Sequence, residues 1–174
     1  MPLRPPVSDN DHSQGNPQAT VVLVEYGDYQ CPHCGRAYPL VKELQSEFGK
    51  RLRFIFRNFP LTNVHPQAML AAISSEAAAI QGNYWEMHDM LFENQRNLST
   101  NAILKYAKEL KLEMQQFEGN LSNPGIKKNI ETQFYGGMRS GVNATPTFFI
   151  NGQILTDSWE GDGLSIFLND NFPG

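Results

Sequence analysis

The sequence predicts an α/β fold with a central mixed sheet and an inserted helical segment. Three observations lead to this prediction. A strand, a helix and a second strand follow one another early in the chain, which is the order of a βαβ unit with parallel strands. A long helical stretch comes next. The last quarter then returns to two short strands joined as a hairpin, and a hairpin adds an antiparallel pair to the sheet.

The elements of the βαβ unit are marked by their residue patterns. Residues 19–26, "ATVVLVEY", form a continuous apolar and β-branched run that predicts a buried strand. Apolar side chains then recur at helical spacing from Tyr38 to Phe48, and Gly49 is a suitable helix stop. Residues 51–58, "RLRFIFRN", partly alternate between arginine and apolar side chains, which predicts the second strand.

The rest of the chain completes the predicted domain. We expect a helical insertion at about 62–140, within one domain at 19–174 that follows a polar, proline-rich tail at 1–18. The segment "TPTFFINGQILT" contains two short apolar runs joined by Asn151-Gly152, a dipeptide that favours a two-residue hairpin turn. A closing helix is predicted in "GDGLSIFLNDNF".

Composition excludes several classes of function. The 14 basic and 18 acidic residues give a net charge of −4, so the chain has no electrostatic attraction to nucleic acid or an anionic membrane. No apolar run approaches the ~20 residues of a membrane-spanning helix. The start of the sequence lacks the apolar region of a signal peptide. We therefore expect a cytoplasmic protein if the chain is complete, and a periplasmic or other extracytoplasmic one if a signal has been removed.

The only two cysteines, Cys31 and Cys34, lie in the stretch "DYQCPHCGRAYP". Because they follow a buried strand and open a helix, Cys31 is expected near the helix N-cap, where unpaired N–H groups stabilise a thiolate. Pro32 suits the first helical position, and His33 adds a polar neighbour that favours the thiolate further. Cys34 lies one turn later, within disulfide reach. The spacing predicts a redox-active dithiol in which Cys31 attacks and Cys34 resolves.

Two other interpretations of the cysteine pair stay open. A structural disulfide would restrict only a short loop, worth roughly 2 kcal/mol in the loop-closure description. A metal site would need further ligands, but His12, His65 and His88 are scattered and no second CxxC motif exists. No metal ligand is therefore predicted.

The chain resembles the thioredoxin superfamily and, more closely, the DsbA-like thiol–disulfide oxidoreductases. The resemblance rests on "VLVEYGDYQCPHCG", on the helical region before the closing hairpin, on "NYWEMHDMLF" and on "NATPTFFING". It extends over nearly the whole chain after residue 18. It implies a thioredoxin-like fold with an inserted helical subdomain and a protein disulfide oxidoreductase activity that needs no organic cofactor.

The resemblance also implies a role for individual residues. Cys31 is the expected nucleophile and Cys34 the resolving thiol, while His33 stabilises the Cys31 thiolate. Pro146 corresponds to the cis-proline of the family, and Thr145 precedes it. The loop that contains them is expected to face the dithiol and to pair with the backbone of a substrate peptide.

Glu25 lies on the first strand, six residues before Cys31. Members of the family often have a buried acid here that helps to move the Cys34 proton. The alternative is an ordinary carboxylate at the edge of the sheet. A lone glutamate inside an apolar strand is costly to bury without a function, which favours the first interpretation.

The expected partners are cysteine-containing protein substrates and a redox-recycling partner that the sequence does not identify. No nucleic acid, membrane span or oligomeric partner is expected. Disulfide donation or exchange is the predicted function. A reductase or isomerase stays open, because threonine also precedes the proline in disulfide isomerases. A non-catalytic metal-binding or thiol-sensing module is the alternative from another class.

Overall fold

The computed structural model describes residues 1–173, which contain five strands and seven helices. The strands are β1 (Ser13–Gly15), β2 (Val21–Gly27), β3 (Leu52–Asn58), β4 (Thr147–Ile150) and β5 (Gln153–Ile154). The helices are α1 (Pro32–Phe48), α2 (Ala68–Ala79), α3 (Tyr84–Glu93), α4 (Thr100–Glu109), α5 (Met114–Leu121), α6 (Pro124–Arg139) and α7 (Gly163–Asn171).

The five strands form one sheet in the order β1-β3-β2-β4-β5. The β2 and β3 strands are parallel, as a βαβ unit requires, and the other three pairs are antiparallel. The predicted α/β fold with a mixed sheet is therefore confirmed. Helices α2 to α6 lie between β3 and β4, in the segment where the helical insertion is predicted. None of the helices within residues 1–173 combines the length and apolarity needed to cross a membrane.

Both faces of the sheet are covered by apolar side chains. Val21 and Leu23 of β2 belong to the larger core, whereas Val24 and Tyr26 belong to a smaller core on the other face. Side chains alternate between the two faces of a strand. Glu25 therefore points to the same face as Leu23, and this face also buries the two cysteines.

Helix α1 begins directly after Cys31. Cys31 has the extended backbone of an N-cap residue, with φ −69° and ψ 123°, and Pro32 occupies the first helical position. The helix packs one face into the core through Cys34, Ala37, Val41, Leu44 and Phe48. It ends at Gly49, whose φ of 50° lies in the region that favours glycine. The predicted helix, its start and its stop are thus all present.

The β4–β5 hairpin has the predicted turn. Asn151 and Gly152 connect the two strands, with φ of 48° and 79° respectively. A type I′ turn needs positive φ at both central residues, and Asn-Gly is the dipeptide that adopts this conformation most readily. The turn places Leu155 so that its N–H donates to the carbonyl oxygen of Phe148 at 2.8 Å.

Residues 1–18, predicted as an N-terminal tail, contact the sheet at several points. Leu3 is buried and its N–H donates to the Gly152 carbonyl at 2.8 Å, beside β5. Further along, residues 13–15 form β1 and pair with β3 at the opposite edge of the sheet. Asp11 makes an ion pair with the buried side chain of Arg57 at 2.7 Å. These contacts use backbone groups and one charge pair rather than an apolar run, which a polar composition permits.

Candidate active site

The two cysteines lie where β2 gives way to α1, at the carboxyl end of a central strand. Both are free thiols and both are buried, Cys31 with 3% of its surface exposed and Cys34 with none. The N-cap position leaves the Cys31 sulfur beside N–H groups that have no partner within the helix. Of the two residues, only Cys31 has surface exposed to solvent.

The surroundings of Cys31 stabilise its thiolate. A hydrogen bond from the Cys34 thiol is the main cause that lowers the pKa of Cys31 from 9.0 to about 5. The backbone N–H groups of Cys34 and His33 act in the same direction, while burial acts against them. At neutral pH the sulfur is therefore an anion, which is the nucleophilic form.

The surroundings of Cys34 have the opposite effect. Burial raises the pKa of Cys34 well above its usual value of 9.0, and the hydrogen bond to Cys31 and the charge of Glu25 raise it further. Only the backbone N–H of Asp28, which lies 3.4 Å from the Cys34 sulfur, favours the thiolate. Two thiols with such different pKa values can take different roles, one as nucleophile and one as proton-bearing partner.

Glu25 is 2% exposed and lies on the face of the sheet that holds the cysteines. Burial, followed by the nearby charge of Cys31, raises the pKa of Glu25 from 4.5 to about 8. Its Oε1 atom has no hydrogen-bond partner within residues 1–173. Gly27 keeps the space open, because a Cβ atom there would lie 3.0 Å from Oε1 and 2.4 Å from the Phe56 ring. A carboxyl group with a pKa near neutrality can accept and return a proton.

The segment that leads into β4 forms the other wall of the site. The peptide bond between Thr145 and Pro146 is cis, and both residues are buried. The Cys31 thiol donates to the Thr145 carbonyl oxygen at 3.5 Å. The Thr145 hydroxyl also helps to lower the pKa of Cys31. The sheet thus brings together Glu25, Thr145 and the cysteines, which are far apart in the sequence.

The His33 side chain lies at the surface of the site. The ring is exposed, and its Nδ1 atom accepts a hydrogen bond from the Arg36 guanidinium at 2.7 Å. The contribution of His33 to the Cys31 thiolate comes from its backbone N–H. Pro32 is exposed at the start of α1 and has no N–H to donate. A direct electrostatic role of the imidazole stays a prediction.

Sequence reasoning missed Gln95, which lies in the loop between α3 and α4. Its side-chain amide donates to the carbonyl oxygens of Tyr29 at 2.8 Å and Cys31 at 2.9 Å. Gly35 on α1 makes room for it, because a Cβ atom there would lie 2.0 Å from the Gln95 Oε1 atom. No local pattern marks a glutamine that acts 64 residues away.

Across residues 1–173, no group of three or more His, Cys, Asp or Glu side chains is arranged to hold a metal ion. His65 contacts Asp28 at 2.8 Å, and His88 is buried among aromatic rings with its Nδ1 atom 3.0 Å from the Tyr29 hydroxyl.

Known proteins similar to this chain include both transporters and oxidoreductases. The chain is 41% identical over 166 residues to a protein from Salinispora arenicola named Na⁺/H⁺ antiporter NhaA 1. The aligned region covers 95% of this chain and 25% of that protein. A protein from Herminiimonas arsenicoxydans named Na⁺/H⁺ antiporter NhaA is 37% identical over 175 residues. In this case the aligned region covers 100% of this chain and 28% of that protein. The chain therefore spans about a quarter of the length of the curated relatives it matches.

Solved structures with the same fold are thiol–disulfide proteins. BdbD from Bacillus subtilis has a TM-score of 0.82 at 23% identity and covers 94% of each chain, which shows a shared fold. A thioredoxin-like oxidoreductase from Silicibacter pomeroyi has a TM-score of 0.76 at 27% identity, with 85% of this chain and 84% of that chain covered. For α-DsbA1 from Wolbachia pipientis the TM-score is 0.71 at 26% identity, with 83% and 76% covered.

A family model described as Thioredoxin matches residues 7–170, almost the whole chain. The matched range includes the dithiol, Glu25 and the Thr145-Pro146 segment. The chain belongs to the thioredoxin family, and its fold is that of the DsbA-like thiol–disulfide oxidoreductases.

Proposed function

We propose that this chain is a protein thiol–disulfide oxidoreductase that donates or exchanges disulfides with cysteine-containing proteins through Cys31 and Cys34. The observation that carries the proposal is the Cys31 thiol at the N-cap of α1, whose pKa is lowered to about 5. Such a thiol is a good leaving group and is stable as an anion when the dithiol is reduced. A buried structural disulfide has no need of this environment.

The proposed reaction starts from the oxidised Cys31–Cys34 pair. A substrate thiolate attacks the Cys31 sulfur, the Cys31–Cys34 bond breaks, and Cys34 leaves with the electron pair and takes up a proton. A second substrate thiolate then attacks the substrate sulfur of the mixed disulfide and releases Cys31 as a thiolate. The substrate gains a disulfide and the enzyme becomes a dithiol. A partner with a disulfide of its own must accept the two electrons to restore the oxidised pair.

Glu25 is proposed to supply and accept the Cys34 proton. Three features support this role: the carboxyl group is buried on the same face of the sheet as the cysteines, its pKa is raised to about 8, and its charge affects Cys34. Because Oε1 has no partner within the described residues, a water molecule between the carboxyl group and the sulfur would satisfy it.

The Thr145-Pro146 segment is proposed to bind the substrate backbone. Its support is the position of the Thr145 carbonyl oxygen 3.5 Å from the Cys31 sulfur, at the point of attack. A Cys31 thiolate cannot donate to this carbonyl, so the acceptor is released for a substrate N–H when the thiol ionises.

The test combines a titration with single substitutions. The ultraviolet absorbance of the thiolate should give a Cys31 pKa near 5 in the reduced protein, and Cys31→Ser should abolish exchange with a dithiol peptide and keep the fold. In Cys34→Ser the Cys31 thiolate can attack a peptide that carries a disulfide and release one of its two sulfurs as a thiolate, and no Cys34 thiol is present to resolve the product. This variant should therefore accumulate the mixed disulfide with such a peptide. A Cys31 pKa near its ordinary value together with an inert thiol would refute the proposal. About one equivalent of bound zinc would favour the metal-binding alternative instead.

The direction of exchange is decided by the reduction potential in glutathione buffers. A potential near that of strong oxidants, about −120 mV, indicates disulfide donation, and one near that of thioredoxin, about −270 mV, indicates a reductase. The low pKa of Cys31 stabilises the reduced form, so we expect the oxidising end of this range.

A second candidate function follows from the curated relatives. Because 95% of the chain is similar to part of a protein named as a Na⁺/H⁺ antiporter, we propose redox control of an ion transporter as the context in which the dithiol acts. The Cys34→Ser variant, incubated with a purified antiporter of this kind whose cysteines have been oxidised to a disulfide, should attack that disulfide, release one antiporter sulfur as a thiolate and remain as a mixed disulfide with the other. A cysteine-free antiporter is the control, and absence of the adduct with the native transporter would exclude this candidate.

A further inference from the structure

Asp28 holds the loop between β2 and the dithiol in place. Its side chain is completely buried and accepts three hydrogen bonds. Oδ1 accepts from the Gln30 N–H at 2.8 Å, and Oδ2 accepts from the Leu61 N–H at 2.9 Å and from Nδ1 of His65 at 2.8 Å. The carboxylate therefore ties its own loop to the segment of residues 59–67, which follows β3.

A further bond connects the same two segments. The Gln67 N–H donates to the Gln30 side chain at 2.7 Å. With Gln95 on the other side of Cys31, the loop that leads into the dithiol is fixed from two directions by side chains outside the CxxC motif. Among the residues that fix this loop, Asp28 is the one whose own backbone contacts both cysteines.

The backbone of Asp28 touches both cysteine residues. Its carbonyl oxygen accepts from the Cys31 N–H at 3.1 Å, and its N–H lies 3.4 Å from the Cys34 sulfur, within hydrogen-bond distance for sulfur. Cys34 is buried in apolar surroundings, where a negative charge is costly. The Asp28 N–H is thus placed to stabilise that charge at the moment it develops.

We propose that Asp28, held by His65 and the segment of residues 59–67, positions the N–H that stabilises the Cys34 thiolate while the Cys31–Cys34 bond breaks or forms. The inference rests on the proposed exchange activity. When a substrate thiolate attacks Cys31, Cys34 leaves with the electron pair of the broken bond. In the reverse reaction the Cys34 thiolate attacks the Cys31 sulfur to form the disulfide again. The Asp28 N–H therefore affects both the cleavage and the formation of the Cys31–Cys34 bond. Asp28 and His65 are accordingly positioning residues of the dithiol.

Asp28→Asn is the most direct test. An amide has one oxygen and one NH₂ group, whereas both carboxylate oxygens of Asp28 face backbone N–H donors. In either orientation the NH₂ group therefore opposes an N–H, and the loop must move. We expect the rates of Cys31–Cys34 bond formation and cleavage with glutathione both to fall about tenfold, the equivalent of ~1.4 kcal/mol in activation free energy.

The equilibrium constant for oxidation of the Cys31–Cys34 pair by glutathione should change less than about twofold. The hydrogen bond from the Asp28 N–H stabilises mainly the transient Cys34 thiolate, which is neither the starting state nor the end state of this equilibrium. Alkylation of Cys31 by iodoacetamide at neutral pH should keep its wild-type rate within about twofold, because Cys34 keeps its proton in that reaction and its hydrogen bond to Cys31 is retained. A general loss of structure would change all three measurements together. This difference separates positioning of Cys34 from a purely structural role.

His65 gives a second, milder variant in case Asp28→Asn does not fold. His65→Ala keeps the Asp28 carboxylate and both backbone bonds, and we expect a loss of about threefold in the two exchange rates. His65→Gln, whose amide can donate to Asp28, should recover most of this loss. His12→Ala is the matched control, because it removes a histidine–carboxylate bond of the same 2.8 Å length, to Glu76. It should leave exchange unchanged.

The outcomes distinguish this inference from the proposed function. An unreactive wild-type dithiol would overturn the proposed function and the inference with it. An active wild type with unchanged rates in folded Asp28→Asn, or equal losses in the His65→Ala and His12→Ala variants, would overturn the inference alone. A slower alkylation of Cys31 in Asp28→Asn would also contradict it, because the effect would then not be specific to Cys34.

Discussion

Cys31 and Cys34 are identical side chains that their surroundings push in opposite directions. Hydrogen bonds to the sulfur lower the pKa of Cys31, and burial raises the pKa of Cys34. Cys31 lies at the N-cap of α1 and Cys34 lies one turn inside the same helix. This difference in position accompanies the difference between a thiol that ionises easily and one that keeps its proton. Glu25 adds a third titrating group on the same face, and its raised pKa reflects the same apolar burial.

The first prediction concerns the reduced protein and the pH. A thiol whose pKa is lowered in the folded state stabilises the fold as a thiolate, fully above the unfolded pKa near 9 and not at all below about 5. The melting temperature of the reduced protein, relative to Cys31→Ser, should therefore rise steadily between about pH 5 and about pH 8. A difference that stays constant with pH would contradict an anionic Cys31.

The second prediction concerns Glu25, whose pH dependence has the opposite sign. The pKa of Glu25 is about 8 in the folded state and 4.5 in the unfolded state. The stability that the protonated carboxyl group contributes is therefore complete below about pH 4.5 and is lost as the pH rises from there through about 8. The gain in unfolding free energy on Glu25→Gln should thus increase by about 3 kcal/mol between about pH 4.5 and about pH 7. Urea unfolding of both proteins at these two pH values measures it. An equal gain at both would mean that Glu25 ionises normally.

At the scale of the elements, the parts that local pattern determines were predictable. The βαβ unit, the N-cap at Cys31 and the Asn151-Gly152 turn depend on residues that are neighbours in sequence, so periodicity and capping preferences identify them. Helix α5 lies inside the segment predicted as helical, but its start has a weaker sequence signal, because its N-cap is Glu113, whose side chain accepts from two backbone N–H groups without being a typical capping residue.

The parts of the site that depend on distant residues were not predictable from pattern. Gln95 and His65 contact the dithiol loop from segments that lie far along the chain, and a single polar side chain in a loop has no periodicity that would mark it. Asp28 carried a weak local signal, because a carboxylate directly after a buried strand and three residues before a cysteine is unusual. The positions of Glu25 and Thr145 beside the cysteines depended on strand pairing, which the family resemblance implied.

The third prediction tests how α1 is held by the loop between α3 and α4. Gly35→Ala gains up to ~1 kcal/mol of helix propensity. It also displaces the Gln95 amide from its two carbonyl partners, which costs about 2 kcal/mol. We expect a net loss of about 1 kcal/mol in urea unfolding.

Gly119→Ala on α5 is the matched control for this prediction. No atom lies within 4 Å of the Cβ position at Gly119, so the substitution should stabilise the protein. In a Gln95→Ala background, Gly35→Ala should become stabilising as well. A loss that persists in this background would show that Gln95 is not the cause.

At the scale of the whole molecule, the first fifteen residues reach both sides of the sheet and cover the outer sides of β3 and β5. Residues 1–3 lie along β5, and residues 13–15 pair with β3 as β1. An uncovered edge strand exposes backbone groups that can pair with another chain. Between the two edges the segment meets Arg57, whose guanidinium donates to Asp11 and to the carbonyl oxygens of Pro5 and Pro6. The segment is thus part of the fold that presents the dithiol.

The last prediction measures how firmly this segment is bound. Arg57 is 4% exposed, so Asp11→Ala leaves a buried cation without its counter-charge, and removing one partner of a buried pair costs about 3–5 kcal/mol. Glu109→Ala removes the exposed Lys105–Glu109 pair and should cost less than about 1 kcal/mol. Equilibrium urea unfolding compares the two variants. Equal, small losses would mean that residues 1–18 behave as the tail that their composition suggests, and a loss confined to Asp11→Ala would establish them as a structural part of the domain.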